Sequence, residues 1–412
     1  MKLTCLACKG RLWCGLRNCP ILEAMKNRTK LKTKIKSPEL FGSTPPSAFV
    51  GRFSYPKINV GVLLPSKTGD TSIYDSPPQW FKTNMDIDRI LGYRTSLINS
   101  RRRFDVTSAR NPEGFLETIQ EVSMSSKPVD TEITLTKIPR ITTTFNFTSP
   151  PFGPSGTVKK ARLTENPRVK KRIDYVISDT DFKAANAIFD LYKHGFDVYQ
   201  ITKLLSVGLL GAKIQRKLVP TRWSITASDS IIANELLDKV KTYRQTSEYI
   251  VFESNYLGNY FEVLLLPREW MFEQIEMGVP GGLWTTELKE PTIISDYEFY
   301  WGRKSYAKNI AGAYYSGKLA VLEYLSKIKR QAGVLIVREI RPEYFSEIGV
   351  WKVRECVRDA MRKKPLRFAT LNEAIKRIDQ VLMIKHGVWS KKSKVMDRLI
   401  HQRKVGDFLK KS

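Results

Sequence analysis

Four of the five cysteines in this 412-residue chain, Cys5, Cys8, Cys14 and Cys19, crowd into one short stretch as C-x2-C-x5-C-x4-C. Two thiolates separated by two residues can hold one tetrahedral ion from a tight turn, and a second pair closes the shell. Gly10 and Gly15 supply the unusual dihedrals such a loop needs. The competing arrangement is two disulfides, which requires an oxidising compartment that nothing in the composition supports. The spacing therefore favours a closed structural zinc site with no open position for water. Cys356, in VREC on a predicted helix, reads as a core thiol.

A second block runs from Gly208 to Ser230, GLLGAKIQRKLVPTRWSITASDS. Lys217, Arg222 and Thr226 are phosphate-binding residue types, and Trp223 offers a stacking face. Asp229 is a candidate metal ligand or proton acceptor. The glycines permit close backbone approach to a ligand, but the P-loop pattern is absent. The same residues also describe a basic surface loop leading into a helix. A third block joins GRKSYAKNIAGAYY, with Arg303, to the REIRPEY run that follows an apolar strand. Arg338 and Arg341 are candidate phosphate ligands, and Glu339 a candidate acid or base, at the carboxyl edge where open α/β sheets bind ligands. An internal Arg–Glu network is the other reading. Asp179 and Asp181 in SDTD suit helix capping better than metal binding. His194, His386 and His401 are scattered, which argues against a Ser-His-Asp triad.

The last residues read HQRKVGDFLKKS. Gln402, Val405, Phe408 and Leu409 fall in the pattern Q-x-x-h-x-x-F-h, similar to the peptide by which replication and repair proteins hold the sliding clamp (PCNA). The three apolar side chains share one side of a tight helical turn, and the Gln amide reaches backbone beside the pocket they fill. The frayed end of a basic helix would give a similar string.

Composition sets the partner class. There are 69 Lys+Arg against 41 Asp+Glu, a net charge of +28, and 42% hydrophobic residues. That is enough apolar material for a real core, and the surplus points to a polyanion. No run reaches the length of a membrane span, and MKLTCLACKGRLW lacks a signal peptide's apolar region, so a non-membrane protein is expected.

The elements that must position these residues read as a mixed α/β or α+β protein with a two-part core. The expected divisions are a zinc module at 1–22, a basic extended linker at 23–75, core domains at 76–285 and 286–400, and a disordered clamp-binding tail at 401–412. Residues 40 to 80, rich in Pro, Gly and Ser, read as extended chain wrapping a domain. A helix is predicted over 85–103, ending in Arg101, Arg102 and Arg103. Strands are predicted at 132–138 and 142–147. A helical hairpin turns at Gly195, with its second helix over 198–207, and a helix follows at 231–244. Later come strands near 249–253, 260–266 and 334–337, with a polar interval at 277–297. Helices are predicted over 305–331, 350–363 and 371–384, the last capped by Thr370.

Across nearly its whole length the chain resembles the archaeal NreA-type DNA repair family. The Cys cluster ending in NCP carries the resemblance, with SPPQWF at 76–81, QEVSMSSKPVDTEITLTKIP at 120–139, GPSG at 153–156 and SDTD at 178–181. So do GLLGAKIQRKLVPTRWSITASD at 208–229, GRKSYA at 302–307, VLEYL at 321–325, REIRPEY at 338–344 and GVWKVRE at 349–355. The resemblance implies a cytoplasmic protein of the DNA damage response with a zinc-finger-like N-terminus and a clamp-binding C-terminal peptide. Leu409 departs from the usual second aromatic of that peptide. The expected function is a repair factor that binds nucleic acid, DNA in that setting, through basic surfaces while tethered to the clamp. The alternatives are a phosphoester hydrolase or nuclease using Mg²⁺ or Mn²⁺, and an adaptor without nucleic-acid contact.

Overall fold

A computed structural model describes residues 35–139, 153–281 and 290–401, together with Arg11, Leu12, Cys19 and Leu22. Cys5, Cys8 and Cys14, the expected strand at 142–147, and Gln402, Val405, Phe408 and Leu409 lie outside the described residues. The architecture is mixed α/β, with two six-stranded sheets. The chain divides into two compact units, one comprising Cys19–Glu235 and Ser346–Gly349, the other Met1–Asn18, Leu236–Phe345 and Val350–Ser412.

The first unit holds β1 (Glu39–Thr44), β2 (Ala48–Val50), β3 (Lys57–Pro65), α1 (Pro77–Lys82), α2 (Ile87–Ser96), β4 (Leu97–Asp105), α3 (Phe115–Met124), β5 (Val129–Leu135), β6 (Ser155–Leu163), α4 (Lys171–Ser178), α5 (Ala184–Lys193), α6 (Val198–Ser206) and most of α7 (Thr221–Val240). Its sheet order is β1-β5-β6-β4-β3-β2. Only β4 and β6 run parallel among these neighbours. β5 alternates buried and half-buried residues, the signature of a strand with one face on the core. Gly153 enters β6 against β4, where a Cβ would stand 1.9 Å from the Leu97 carbonyl oxygen.

Three expectations give way here. Residues 40–80 are not merely wrapping chain, because β1, β2, β3 and α1 lie within them. The run INVGVLL within β3 is buried at nearly every position, and that burial outweighs the Pro and Gly around it. The helix expected to 103 stops at Ser96, and Arg101, Arg102 and Arg103 belong to β4. β3 pairs antiparallel along the whole of β4, so tertiary hydrogen bonding decides against the helical period. α7 begins at Thr221, ten residues before the predicted start at 231. The hairpin at Gly195 forms as expected, and α6 buries Val198, Ile201, Leu204 and Leu205, which leaves it a core helix rather than a groove reader.

The second unit contains β7 (Tyr249–Tyr256), β8 (Asn259–Leu266), β9 (Met271–Gly278), β10 (Thr292–Glu298), α8 (Gly312–Ile328), β11 (Gly333–Ile340), α9 (Trp351–Arg362), β12 (Leu366–Phe368), α10 (Leu371–Val381), α11 (His386–Trp389) and α12 (Lys394–His401). The sheet order is β10-β9-β11-β8-β7-β12. β11 lies parallel to β9 and antiparallel to β8. Leu264, Leu266, Leu335 and Val337 face Ala374, Ile375 and Ile378 of α10 with Trp389 and Val395 beyond. On the other face Phe252 meets Tyr324 of α8, and Tyr256 meets Trp351 of α9. Strands β7 to β9 thus share one sheet with β10 to β12, and the compact units part within α7 rather than in the polar interval. The helix expected over 305–331 is shorter, because 305–311 forms a turn and Ala311 enters α8 at φ 57°.

Candidate nucleic-acid interface

The surface best suited to a polyanion lies in the first unit, where the β2–β3 connection meets the start of α7. Val50 N–H donates to Thr221 Oγ1 at 2.9 Å, fixing the end of β2 to the helix start. The connection then turns through Ser54, whose φ is 64°, with Lys57 N–H donating to Ser54 O at 2.9 Å. This turn lifts Phe53 and Tyr55 into solvent, 76% and 48% exposed. Trp223, 46% exposed on the first turn of α7, meets Tyr55 at 5.4 Å between ring centroids and 49° between planes. The Arg52 guanidinium lies 5.2 Å from the Phe53 ring centroid.

The segments that carry the rings also carry exposed cations. Arg222 is exposed beside Trp223, Thr226 is half-buried one turn on, and Lys217 is exposed in the segment leading to the helix. Exposed Arg103 donates through Nε to the Lys57 carbonyl at 3.1 Å. The nearby Asp105 carboxylate accepts from Thr107 N and Thr107 Oγ1, and these bonds hold its pKa below the ordinary value. The N-terminal end of α7 carries the positive end of the helix dipole. Flat apolar faces beside cations are what unstacked bases and phosphates require together.

Lys217, Arg222, Trp223 and Thr226 are candidates from the sequence that fall in these segments; Arg52, Phe53, Tyr55, Lys57 and Arg103 were not among the candidates. The signal was present in GRFSYPK, where cations and aromatics interleave. Other parts of the 208–230 block hold the protein together. Gly208, at φ 73°, leaves no room for a Cβ, which would stand 2.4 Å from Ala109 Cβ. Arg216 donates to the carbonyls of Gly211 and Ile177 at 2.9 and 2.7 Å. Asp229 is fully buried within α7.

The third block belongs to the second unit. Arg338 is 2% exposed and donates to Glu276 Oε1 at 2.8 Å and to Asn259 Oδ1 at 3.0 and 2.6 Å. Glu339 accepts from Arg341 Nε at one oxygen and from Ile384 N–H at the other, both at 2.8 Å. Arg341 also reaches the Val381 carbonyl and lies 3.5 Å from the Tyr260 ring centroid. Arg303 donates to Asp296 and to backbone carbonyls. Arg338, Glu339 and Arg341 are thus committed to internal partners, as the network reading of that block anticipates. Asp179 Oδ1 accepts from the backbone N–H groups of Asp181 and Phe182 at 3.0 Å, a turn rather than a metal cradle.

A groove of about 690 Å³ in the first unit is lined by Arg102, Lys159, Lys160 and Arg162, but also by Glu117 and Glu121. Burial and neighbouring Glu117 push the Glu121 carboxyl up, and the mixed charge makes the groove a poorer polyanion site. Among the described residues no group of three or more His, Cys, Asp and Glu side chains is placed to hold a metal ion. Among the same residues, no helix is long and apolar enough to cross a membrane.

Comparison with known proteins places the whole chain. A family described as Archaeal Nre, N-terminal, matches residues 13–285, and one described as Archaeal Nre, C-terminal, matches residues 298–408. The chain belongs to the archaeal Nre family. Among Nre relatives, a protein of Archaeoglobus fulgidus named DNA repair protein NreB is 36% identical over 99% of this chain and 100% of its own length. DNA repair protein NreA of the same organism is 38% identical over 91% of this chain and 93% of its own. DNA repair protein NreA of Haloferax volcanii is 35% identical, covering 88% of this chain and 87% of that relative. No solved structure matches this Nre chain.

Proposed function

We propose that this Nre protein acts in DNA repair by binding nucleic acid at the surface around Tyr55 and Trp223 while its C-terminal peptide tethers it to the sliding clamp (PCNA). The repair role is supported by the printed names of three Nre relatives that align along most of the chain. The binding role rests on one observation: two exposed rings in contact, bordered by Arg52, Arg103 and Arg222. Cations give backbone affinity that weakens with salt, and the rings give contact to bases whatever their sequence. The test is fluorescence anisotropy of the full chain with labelled oligonucleotides over a range of salt. Trp223→Ala is expected to weaken single-strand binding about tenfold, from a stacking contribution of roughly 1–3 kcal/mol per base. Affinity that ignores both salt and this substitution would overturn the reading.

Gln402, Val405, Phe408 and Leu409 supply the proposed clamp contact, on the strength of their spacing. Cys5, Cys8, Cys14 and Cys19 are the proposed zinc ligands; four thiolates are a donor set that suits a closed tetrahedral Zn²⁺ site. Metal analysis of the purified chain is expected to give one zinc per chain, lost in Cys5→Ser/Cys8→Ser. The alternative of phosphoester chemistry assigns Asp229 and Glu339 to Mg²⁺ or Mn²⁺ or to proton transfer, and gains no support from two carboxylates that are both buried. Product analysis on end-labelled DNA and RNA with either ion, wild type beside Arg222→Ala, tests it directly.

A further inference from the structure

Trp301 is 91% exposed, the most exposed large apolar side chain among the described residues. A single exposed apolar side chain is ordinary, but an amphipathic indole presented on a fixed turn is a candidate contact. Phe299 and Gly302 bridge across the turn, with Gly302 N–H donating to Phe299 O at 2.8 Å. Arg303 ties this turn from inside, donating to Tyr297 O at 2.7 Å, Asp296 Oδ1 at 3.0 Å, Ser305 O at 3.2 Å and Tyr306 O at 3.3 Å. The other Asp296 oxygen accepts from Asn309 and Ile310 N–H at 2.9 and 2.8 Å. Tyr300 braces Trp301 edge-on at 5.2 Å, and Lys241 lies 4.8 Å from the Tyr300 ring centroid. The indole is therefore held out on a fixed turn.

Charge identifies the partner. Lys304 and Lys308 are exposed beside the turn. The only carboxylates between residues 296 and 310 are Asp296 and Glu298, both buried. Glu298 is taken by Trp270 Nε1 at 3.0 Å, Tyr314 OH at 3.0 Å and Lys318 Nζ at 2.7 Å. The turn itself thus offers an aromatic face with two lysines and no exposed carboxylate of its own; the half-buried Glu269 and exposed Asp397 lie with Arg398, whose guanidinium stands 4.4 Å from the Phe299 ring centroid. A protein hot spot sits in an apolar patch that excludes water; here exposed Lys304, Ser305 and Lys308 interrupt the exposed Tyr297 and Tyr306 rings.

We infer that Trp301 stacks on an unpaired base of a nucleic acid, a second contact beyond the Tyr55–Trp223 surface and on the other compact unit. This rests on the nucleic-acid reading above. A base inside a duplex has no open face, so the contact belongs to single strands, frayed ends or flipped nucleotides. The experiment compares wild type, Trp301→Ala, Trp301→Phe and Trp223→Ala as full chains, by anisotropy with a single strand and with a paired duplex of equal length. Trp301→Ala is expected to lose about tenfold on the single strand and little on the duplex. Its salt slope stays at the wild-type value because no phosphate contact is removed. Trp301→Phe keeps most of the affinity, and neither variant shifts the thermal midpoint. Equal single-strand affinity for Trp301→Ala and wild type, with Trp223→Ala weakened, overturns this inference and leaves the function standing. Absence of binding by wild type overturns both. A change in self-association with unchanged oligonucleotide affinity assigns the turn to a protein interface instead.

Discussion

Burial sorts the charged residues of this protein into two roles that sequence spacing could not separate. Arg222 is exposed beside an exposed Trp223, while Arg338 sits under the second sheet's helices with Glu276 and Asn259 as partners. Both stand in blocks of the same composition. Phe53 and Tyr55 escaped notice for a related reason: the Pro- and Gly-rich segment around them hid the β2–β3 turn that lifts them out. The clearest titration at this scale is Glu262 on β8, only 1% exposed and with neither carboxylate oxygen hydrogen-bonded. Burial, with Glu253 on the paired strand, raises its pKa from 4.5 to about 8. The folded state therefore holds a proton that the unfolded chain releases above 4.5. That contribution to stability is complete below the unfolded value and is lost as pH rises through about 8, on the order of a few kcal/mol in all. Wild type is expected to lose denaturant midpoint from about pH 5 to about pH 9, more steeply than Glu262→Gln. Parallel pH profiles for the two proteins would assign the proton elsewhere. The readout is the slope, since a buried Gln amide changes absolute stability by itself.

At the scale of elements, local signals were sufficient where they closed on themselves. Thr370 caps α10 as expected: its Oγ1 accepts from Glu373 N–H at 3.3 Å, and Glu373 Oε2 accepts from Thr370 N–H at 3.1 Å. Both partners sit three residues apart, so the sequence contained the whole motif. Thr370→Ala is expected to cost about 1 kcal/mol in denaturant unfolding, with the fold unchanged. β4 is the opposite case. Its register is fixed by Lys57–Pro65 on one side and by Ser155–Thr157 on the other, segments remote in sequence, and no window of residues 85–103 contains them. The glycine of GPSG is legible only in the same frame. Gly153→Ala would drive a methyl into the Leu97 carbonyl, in backbone that has little freedom to retreat. A loss of roughly 1–3 kcal/mol is expected for overpacking of this kind. Thermal unfolding checks it, and a midpoint within a degree of wild type would mean that the β4–β6 junction relaxes.

For the whole molecule the excess of cations has a physical consequence that does not depend on any one residue. A net charge of +28 raises the local concentration of polyanions around both compact units and sets the salt response of every encounter. From Lys352 to Ser412 there are 18 Lys+Arg against 6 Asp+Glu, so the segment that ends in the proposed clamp peptide is itself strongly basic. Two effects could then bring that segment to a clamp, general charge or the specific contact of Gln402, Val405, Phe408 and Leu409, and they separate by salt and by substitution. Charge attraction fades with salt as a Debye length shrinks to about 8 Å at physiological ionic strength. An apolar plug of Val405, Phe408 and Leu409 does not. Removing residues 402–412 is expected to abolish clamp binding at physiological salt, and Phe408→Ala alone to weaken it by about tenfold or more, as for a buried aromatic anchor. Oligonucleotide affinity should change little in Phe408→Ala, because that side chain carries no charge. Leu409→Phe, restoring a second aromatic, is expected to tighten clamp binding. Calorimetry or surface plasmon resonance with the clamp, at two salt concentrations, reads all three variants together. Binding that survives loss of the tail, or that disappears with salt and ignores Phe408→Ala, would reduce the peptide to one more basic end.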